Sequence, residues 1–165
     1  MNNNELKLFI TSKNSLKRIS QTSPNELFES NIKSQCKITV EPQNKRQQIL
    51  GFGGSFTEAS SSIYKNLSQE KKDELIEAYF GKSGNNYSMA RTHINSCDFS
   101  LSNYAHVEDE KDSELHTFSL ERNKESLIPM IKDALRKREN KIKIMASPWS
   151  PPAWMKTTGQ MNFGG

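Results

Sequence analysis

Apolar and polar positions follow two different periods along the chain, and the change of period divides it. In the first fifty residues the period is two. Leu6-Lys7-Leu8-Phe9-Ile10 and Cys36-Lys37-Ile38-Thr39-Val40 set β-branched or large apolar residues beside polar ones, with Ser- and Asn-rich stretches between them. Such segments read as short strands of a small sheet. From Gln47 the pattern changes: Gln47-Gln48-Ile49-Leu50-Gly51-Phe52-Gly53-Gly54 predicts a strand ending in glycines, and Ser55 stands three residues before Glu58, the capping-box spacing that opens a helix.

Two longer helical patterns follow. Ser68 is placed to cap a helix with Glu70 in its first turn, Leu75, Ile76, Tyr79 and Phe80 along one stripe, and Gly81 at its end. Tyr87 to Ile94 reads as a strand. Residues 107–121 form an acidic loop, with six acids against one Lys. Ser126 then predicts the start of a helix bearing Leu127, Ile128, Ile131, Ala134 and Leu135. Pro129 is tolerated in its first turn, where a missing N–H costs little, and Asn140 closes it. Lys141 to Ala146 is the last strand, with Ile142 and Ile144 on one face. The order β-α-β-α-β implies a parallel sheet with right-handed crossovers, in a β/α barrel or a doubly wound sheet. At 165 residues the chain is shorter than the roughly 250 of a complete barrel, and three strands do not close one.

Composition narrows the function classes. Hydrophobic residues are 33% and charged residues 25%, which rules out a wholly disordered chain. The net charge of +4 is confined to one end: residues 1–50 carry eight basic and four acidic side chains, residues 51–165 fifteen of each. The densest basic stretch, Lys132 to Lys143, coincides with a helix and includes Asp133 and Glu139, so it reads as a solvated face and no nucleic-acid partner is expected. Cys36 and Cys97 show no CxxC spacing, and His93, His106 and His116 show no HxxxH or HExxH spacing, so neither a disulfide framework nor a metal or other cofactor is expected. The start at Met1 lacks a basic segment followed by an apolar one, and no apolar run reaches about 18 residues, which predicts a cytoplasmic chain with no transmembrane segment.

The candidate chemistry gathers at strand ends. Gly51-Phe52-Gly53-Gly54 follows a strand and precedes a helix, as phosphate loops do. GxGxxG would need glycine at Phe56 and no GKS or GKT is present, so structural turn glycines are the better reading. Arg91, Asp98 and Ser147-Pro148-Trp149-Ser150-Pro151-Pro152-Ala153-Trp154 lie near the C-terminal ends of strands, the edge where parallel β/α folds bind ligands. Asp98 is able to accept two sugar-type hydroxyls, and Trp149 offers a flat apolar face and one N–H. Plainer readings stand beside these, an Arg91–Asp98 ion pair and core packing of Trp149. The prolines stiffen the segment that carries both tryptophans. His93 shares strand parity with Arg91, placing both on one interior. Glu58 is either a functional acid or, by its spacing, a helix cap.

These residues carry a resemblance. Gln48-Ile49-Leu50-Gly51-Phe52-Gly53-Gly54-Ser55-Phe56-Thr57-Glu58-Ala59, Ser96-Cys97-Asp98-Phe99-Ser100 and Ala146-Ser147-Pro148-Trp149-Ser150-Pro151-Pro152-Ala153-Trp154-Met155-Lys156 resemble, in order and spacing, the N-terminal part of the glucosylceramidase-like glycoside hydrolases of family 30. The likeness runs from about Lys37 to Gly165. It implies an α/β fold in which residues 47–165 are about the first three strands of a (β/α)8 TIM barrel, truncated, and residues 1–46 are strands of a β-sandwich side domain. It also implies a retaining β-glycosidase acting on a β-glucoside or a glucosylceramide-type substrate through two glutamates, one general acid/base in an Asn-Glu-Pro motif and one nucleophile. Neither falls in this chain: Asn25-Glu26 is followed by Leu27 and lies before the barrel. By motif match, Asp98 and Trp149 fall on substrate-contacting positions and Arg91 on a buried arginine that supports the active site. The competing expectation is a non-catalytic carbohydrate-binding or interaction fragment.

Overall fold

The computed structural model describes residues 7–23 and 36–164, which fall into two compact units divided at Gln47/Gln48. In the first unit, β1 (Leu8–Ile10) pairs antiparallel with β2 (Ser20–Thr22), Phe9 opposite Gln21. The strand expected over Leu6–Ile10 is therefore present from Leu8, Leu6 itself lying outside the described residues. The one expected over Cys36–Val40 is not: those residues have no regular structure, and Ile38 and Val40 are about four-fifths exposed. Alternation without a partner strand leaves the backbone groups to water, and nothing is gained by extension.

The second unit is a parallel sheet in the order β3-β4-β5, formed by Gly53–Phe56, Met89–Ile94 and Lys143–Pro148. Two helices, α1 (Glu58–Lys65) and α2 (Gln69–Phe80), connect β3 to β4. The short α3 (Glu121–Lys124) and α4 (Leu127–Lys137) lie between β4 and β5. Strand β3 starts at the glycines and does not end there, which corrects the expected span Gln47–Gly54. Ile49, Leu50 and Phe52 are 67–70% exposed and lie before β3, Phe52 reaching β4 only through its carbonyl, which accepts the Met89 N–H at 3.1 Å. Gly53 is required by close approach, since a Cβ there would collide with the carbonyl oxygen of Met89 on β4.

The helix ends show which local signals prevail. Ser68 caps α2, accepting the Lys71 N–H at 3.3 Å, and Gly81 follows its last residue, Phe80. The cap of α1 is two residues beyond the expected pair: Thr57 accepts the Ser60 N–H at 3.2 Å, and the Ser60 hydroxyl accepts the Thr57 N–H in return. Ser55 is drawn into β3, so Glu58 becomes the first helical residue and its carboxylate is left for another use. Ser126 precedes α4 but makes no side-chain cap. Its hydroxyl meets that of Ser61 on α1 at 2.9 Å, both residues being buried. Beyond α4, Glu139 and Asn140 adopt left-handed φ, and the Asn140 N–H returns to the Leu135 carbonyl at 2.8 Å.

Alternation within the strands decides what faces the helices. Phe56 of β3, Ala90 of β4 and Ile142 just before β5 are buried with Tyr64, Ile76, Phe80, Leu127, Met130 and Ala134 from the helices. Phe56 and Phe80 stack at 5.6 Å between centroids, and the Tyr64 hydroxyl donates to Asp133 at 2.6 Å, tying α1 to α4. Burying such an aromatic ring stabilises by about 1.5–3 kcal/mol. Ile144 shares parity with Ile142 but stays 36% exposed, because β5 is an edge of the sheet. The opposite parity, Ser55, Arg91, His93, Met145 and Ser147, faces away from the helices. On α4 the basic residues Lys132, Arg136 and Lys137 are exposed, Arg136 pairing with Asp133 and Lys137 with Glu77 of α2.

Candidate active site

A small cleft of about 100 Å³ opens at the C-terminal ends of the three parallel strands. Ser55 to Thr57 line it from the end of β3, Arg91 to His93 from β4, Cys97 to Phe99 from the turn after β4, and Trp149 from just past β5. Arg91 and His93 thus share one interior, as their parity predicts. Ligand pockets usually hold about 300–1,000 Å³, so this cleft by itself is smaller than an ordinary ligand site.

Asp98 sits on a tight turn. The Cys97 N–H donates to the Ser100 hydroxyl at 3.0 Å and the Ser100 N–H to the Cys97 carbonyl at 2.9 Å, which lifts the exposed Asp98 toward solvent. Its carboxylate has no hydrogen-bond or ion-pair partner among the described residues, and it is the one acidic side chain lining the cleft. The Arg91–Asp98 ion pair is therefore not formed. Arg91, partly buried, donates from Nη2 to the Ser147 hydroxyl at 2.9 Å, and its Cζ lies 4.4 Å from the Trp149 ring centroid. Trp149 is 44% exposed, which removes the core-packing reading and leaves an aromatic face backed by a guanidinium.

Glu58 holds the Asp98 turn. Its carboxylate accepts the Leu101 N–H at 2.8 Å and the Arg122 Nε and Nη2 at 2.7 and 3.2 Å, while the Ala59 N–H reaches the Phe99 carbonyl at 3.0 Å. Burial alone would raise its pKa. The Arg122 guanidinium and the Leu101 amide more than offset this, so the carboxyl is held below its usual range. Arg122 also lies over the Tyr104 ring at 4.3 Å. Glu58 is thus neither a helix cap nor a free acid, and Arg122, 64 residues away, carries no local signal of the pairing. Trp154 is an anchor: its Nε1 donates to the Val107 carbonyl at 3.2 Å. His106 is buried with Nδ1 at 2.9 Å from the Ser119 carbonyl. No cluster of three or more metal-ligating side chains occurs among the described residues, and none of their helices is long and apolar enough to cross a membrane.

Parallel strands covered by helices on one face, with a carboxylate and an aromatic face at their C-terminal ends, fit the N-terminal part of a β/α barrel. Residues 49–165 match the family model "Glycosyl hydrolase family 30 TIM-barrel domain", and the chain belongs to that family. It is 36% identical over 129 residues to the lysosomal acid glucosylceramidase of Mus musculus, covering 78% of this chain and 25% of that protein. The endo-1,6-beta-D-glucanase of Neurospora crassa is 29% identical over 128 residues, covering 74% and 26%. Among solved structures, SrfJ from Salmonella typhimurium superposes with a TM-score of 0.67 at 47% identity, over 70% of this chain and 26% of that one. The chain spans between 23% and 29% of the length of the curated relatives it matches. The curated relatives are named as glucosylceramidases and endo-1,6-beta-D-glucanases, both glycoside hydrolases.

Proposed function

We propose that the protein carrying this chain is a retaining β-glucoside hydrolase, and that residues 47–165 supply the part of its barrel that holds the non-reducing-end sugar. The observation that supports this reading is the pairing of an unpartnered carboxylate, Asp98, with an exposed aromatic face, Trp149, at one end of a parallel sheet. A carboxylate accepts two vicinal hydroxyls, and an indole covers the apolar face of a pyranose while its N–H donates. Arg91 supports Trp149 from beneath.

Retaining hydrolysis needs two carboxyl groups about 5–5.5 Å apart. Asp98 is the one acidic side chain lining the cleft, and the resemblance to family 30 implies a catalytic pair, a general acid/base and a nucleophilic glutamate, outside residues 1–165. β1 and β2 are in this reading part of a β-sandwich side domain, residues 1–46, whose other strands lie elsewhere in the protein. The glycone is glucose, and the aglycone is ceramide or a further glucose unit.

The test is turnover of an aryl β-glucoside by the full-length protein, followed by labelling with a 2-deoxy-2-fluoro β-glucoside that accumulates the covalent glycosyl-enzyme. Turnover, with the label on a glutamate beyond residue 165, is expected. Absence of turnover, or a label within residues 1–165, would overturn the reading.

A further inference from the structure

Asn95 is the first residue after β4 and has a left-handed backbone, φ 60°. Asparagine tolerates that conformation better than other side-chain-bearing residues, and glycine tolerates it best. The side chain explains why a residue other than glycine is useful there. Its Nδ2 donates to the Ser150 carbonyl at 2.9 Å, and its Oδ1 accepts the His106 N–H at 3.0 Å. Its own carbonyl faces His93 Nδ1 at 2.7 Å. One residue therefore ties three segments together: the turn after β4, the segment after β5 and the loop through His106.

Its neighbours make the tie consequential. Asp98 lies three residues after Asn95, and Trp149 is bonded to Ser150. The Trp149 N–H reaches the Ile94 carbonyl at 3.2 Å, and the Ser96 N–H reaches the Tyr104 carbonyl at 3.0 Å, so both chain neighbours of Asn95 are themselves held by backbone contacts. We propose that Asn95 is a positioning residue that sets the separation between the Asp98 carboxylate and the Trp149 ring, and thereby the fit of the glycone. This rests on the reading of those two residues as sugar contacts. Asn95 touches no substrate; it acts through the Trp149–Ser150 segment.

A cycle of Asn95→Gly, Trp149→Phe and the double variant in the full-length protein tests it. Glycine keeps the left-handed backbone and removes only the amide. Because a misplacement of about 1 Å can cost roughly a hundredfold in rate, Asn95→Gly should lower kcat/KM for an aryl β-glucoside at least about tenfold with little change in melting temperature. In the Trp149→Phe background the same change should cost less than about threefold, since coupled residues are not additive. Additive losses, or an unchanged kcat/KM, overturn the proposal. If the glycine variant does not fold, Asn95→Asp keeps the backbone and the Oδ1 acceptor while losing the donor to Ser150, and the same coupling to Trp149 is required of it. Hydrogen exchange adds a readout that needs no substrate: the amides of Trp149 and Ser150, which precede Pro151 and Pro152, should exchange faster in Asn95→Gly, and those of 130–137 should not. Unchanged exchange at Trp149 and Ser150 overturns the proposal. A full-length protein that exchanges as expected but turns over no β-glucoside sinks the functional reading and leaves the positioning role of Asn95 standing.

Discussion

The Cζ of Arg91 lies over the Trp149 ring, 4.4 Å from its centroid, while Nη2 donates to the hydroxyl of Ser147, two residues before Trp149 on the chain. The arginine thus grips strand and aromatic together. It fixes the plane of a side chain that is otherwise 44% exposed and short of packing partners.

Arg91→Lys should therefore weaken catalysis while leaving the fold intact. An ammonium cannot stack as a planar fork does, and the lost cation–π and hydrogen-bond contributions amount to about 1–2 kcal/mol. In the full-length protein kcat/KM for an aryl β-glucoside should fall about tenfold. A drop in melting temperature with unchanged kcat/KM would make Arg91 a purely structural residue.

Asp98→Asn should behave as a loss of binding chemistry. Among the described residues the carboxylate has no partner to lose, and charge-assisted hydrogen bonds contribute about 1.5–3 kcal/mol each. The expected fall in kcat/KM is about tenfold to a hundredfold, with a melting temperature close to that of the unaltered protein. Thermal unfolding measured beside the kinetics separates the two effects.

Trp149→Phe keeps an aromatic face and deletes the N–H donor, so its cost should be smaller than that of Asp98→Asn. Trp149→Ala, which removes the face as well, should cost more than Trp149→Phe. Equal rates for the two variants would mean that the ring surface contributes nothing.

Glu58 predicts a pH dependence of stability. Its carboxyl titrates below the usual range in the folded protein, so its contribution is complete above the ordinary carboxyl pKa and is lost as pH falls through the depressed folded value. At pH 7, Glu58→Gln should cost about 2 kcal/mol, the scale of a hydrogen bond to a charged group. Denaturant unfolding at pH 7 and at about pH 3 should show that difference narrowing in acid. A constant difference would place the effect in packing.

Residues 1–165 expressed alone should hydrolyse no aryl β-glucoside, because the cleft they form holds one carboxylate and retaining chemistry uses two. Turnover above buffer in a preparation free of contaminating glycosidase would contradict this.

Much of this arrangement was legible in the chain where a local signal met no competitor. Ser68 and Gly81 bracket α2 because cap and breaker lie within one helix, and parity alone placed Arg91 with His93. The order of strands and helices placed Asp98 and Trp149 at a common edge. Two features of the chain mislead. Ile49, Leu50 and Phe52 look like a buried strand, yet the pairing with Met89 begins only at Gly53, where the absence of a side chain lets the backbones approach. Ser55 and Glu58 have capping-box spacing, but Thr57 and Ser60 hold the same spacing two residues on and prevail. The partnerships of Glu58 with Arg122 and of Ser61 with Ser126 join residues more than sixty positions apart, so only the folded chain brings them within reach.

The sheet is laid down in the order in which the chain is written: β3, then β4 beside it, then β5 beside that. A ribosome releases about 5–20 residues each second, N-terminus first. Each strand therefore meets its partner already made, and no later segment has to be inserted between them. The outer layer of α1, α2 and α4 can close over Phe56, Ala90 and Ile142 by the time Pro148 emerges. The inner face is on a different clock. Arg91, Met145 and Ser147 face away from the helices, and Met145 is 59% exposed on β5, an edge strand of the described sheet. Until that face is covered, the helix-backed layer is finished first and the open edge of β5 is what a chaperone would have to shield.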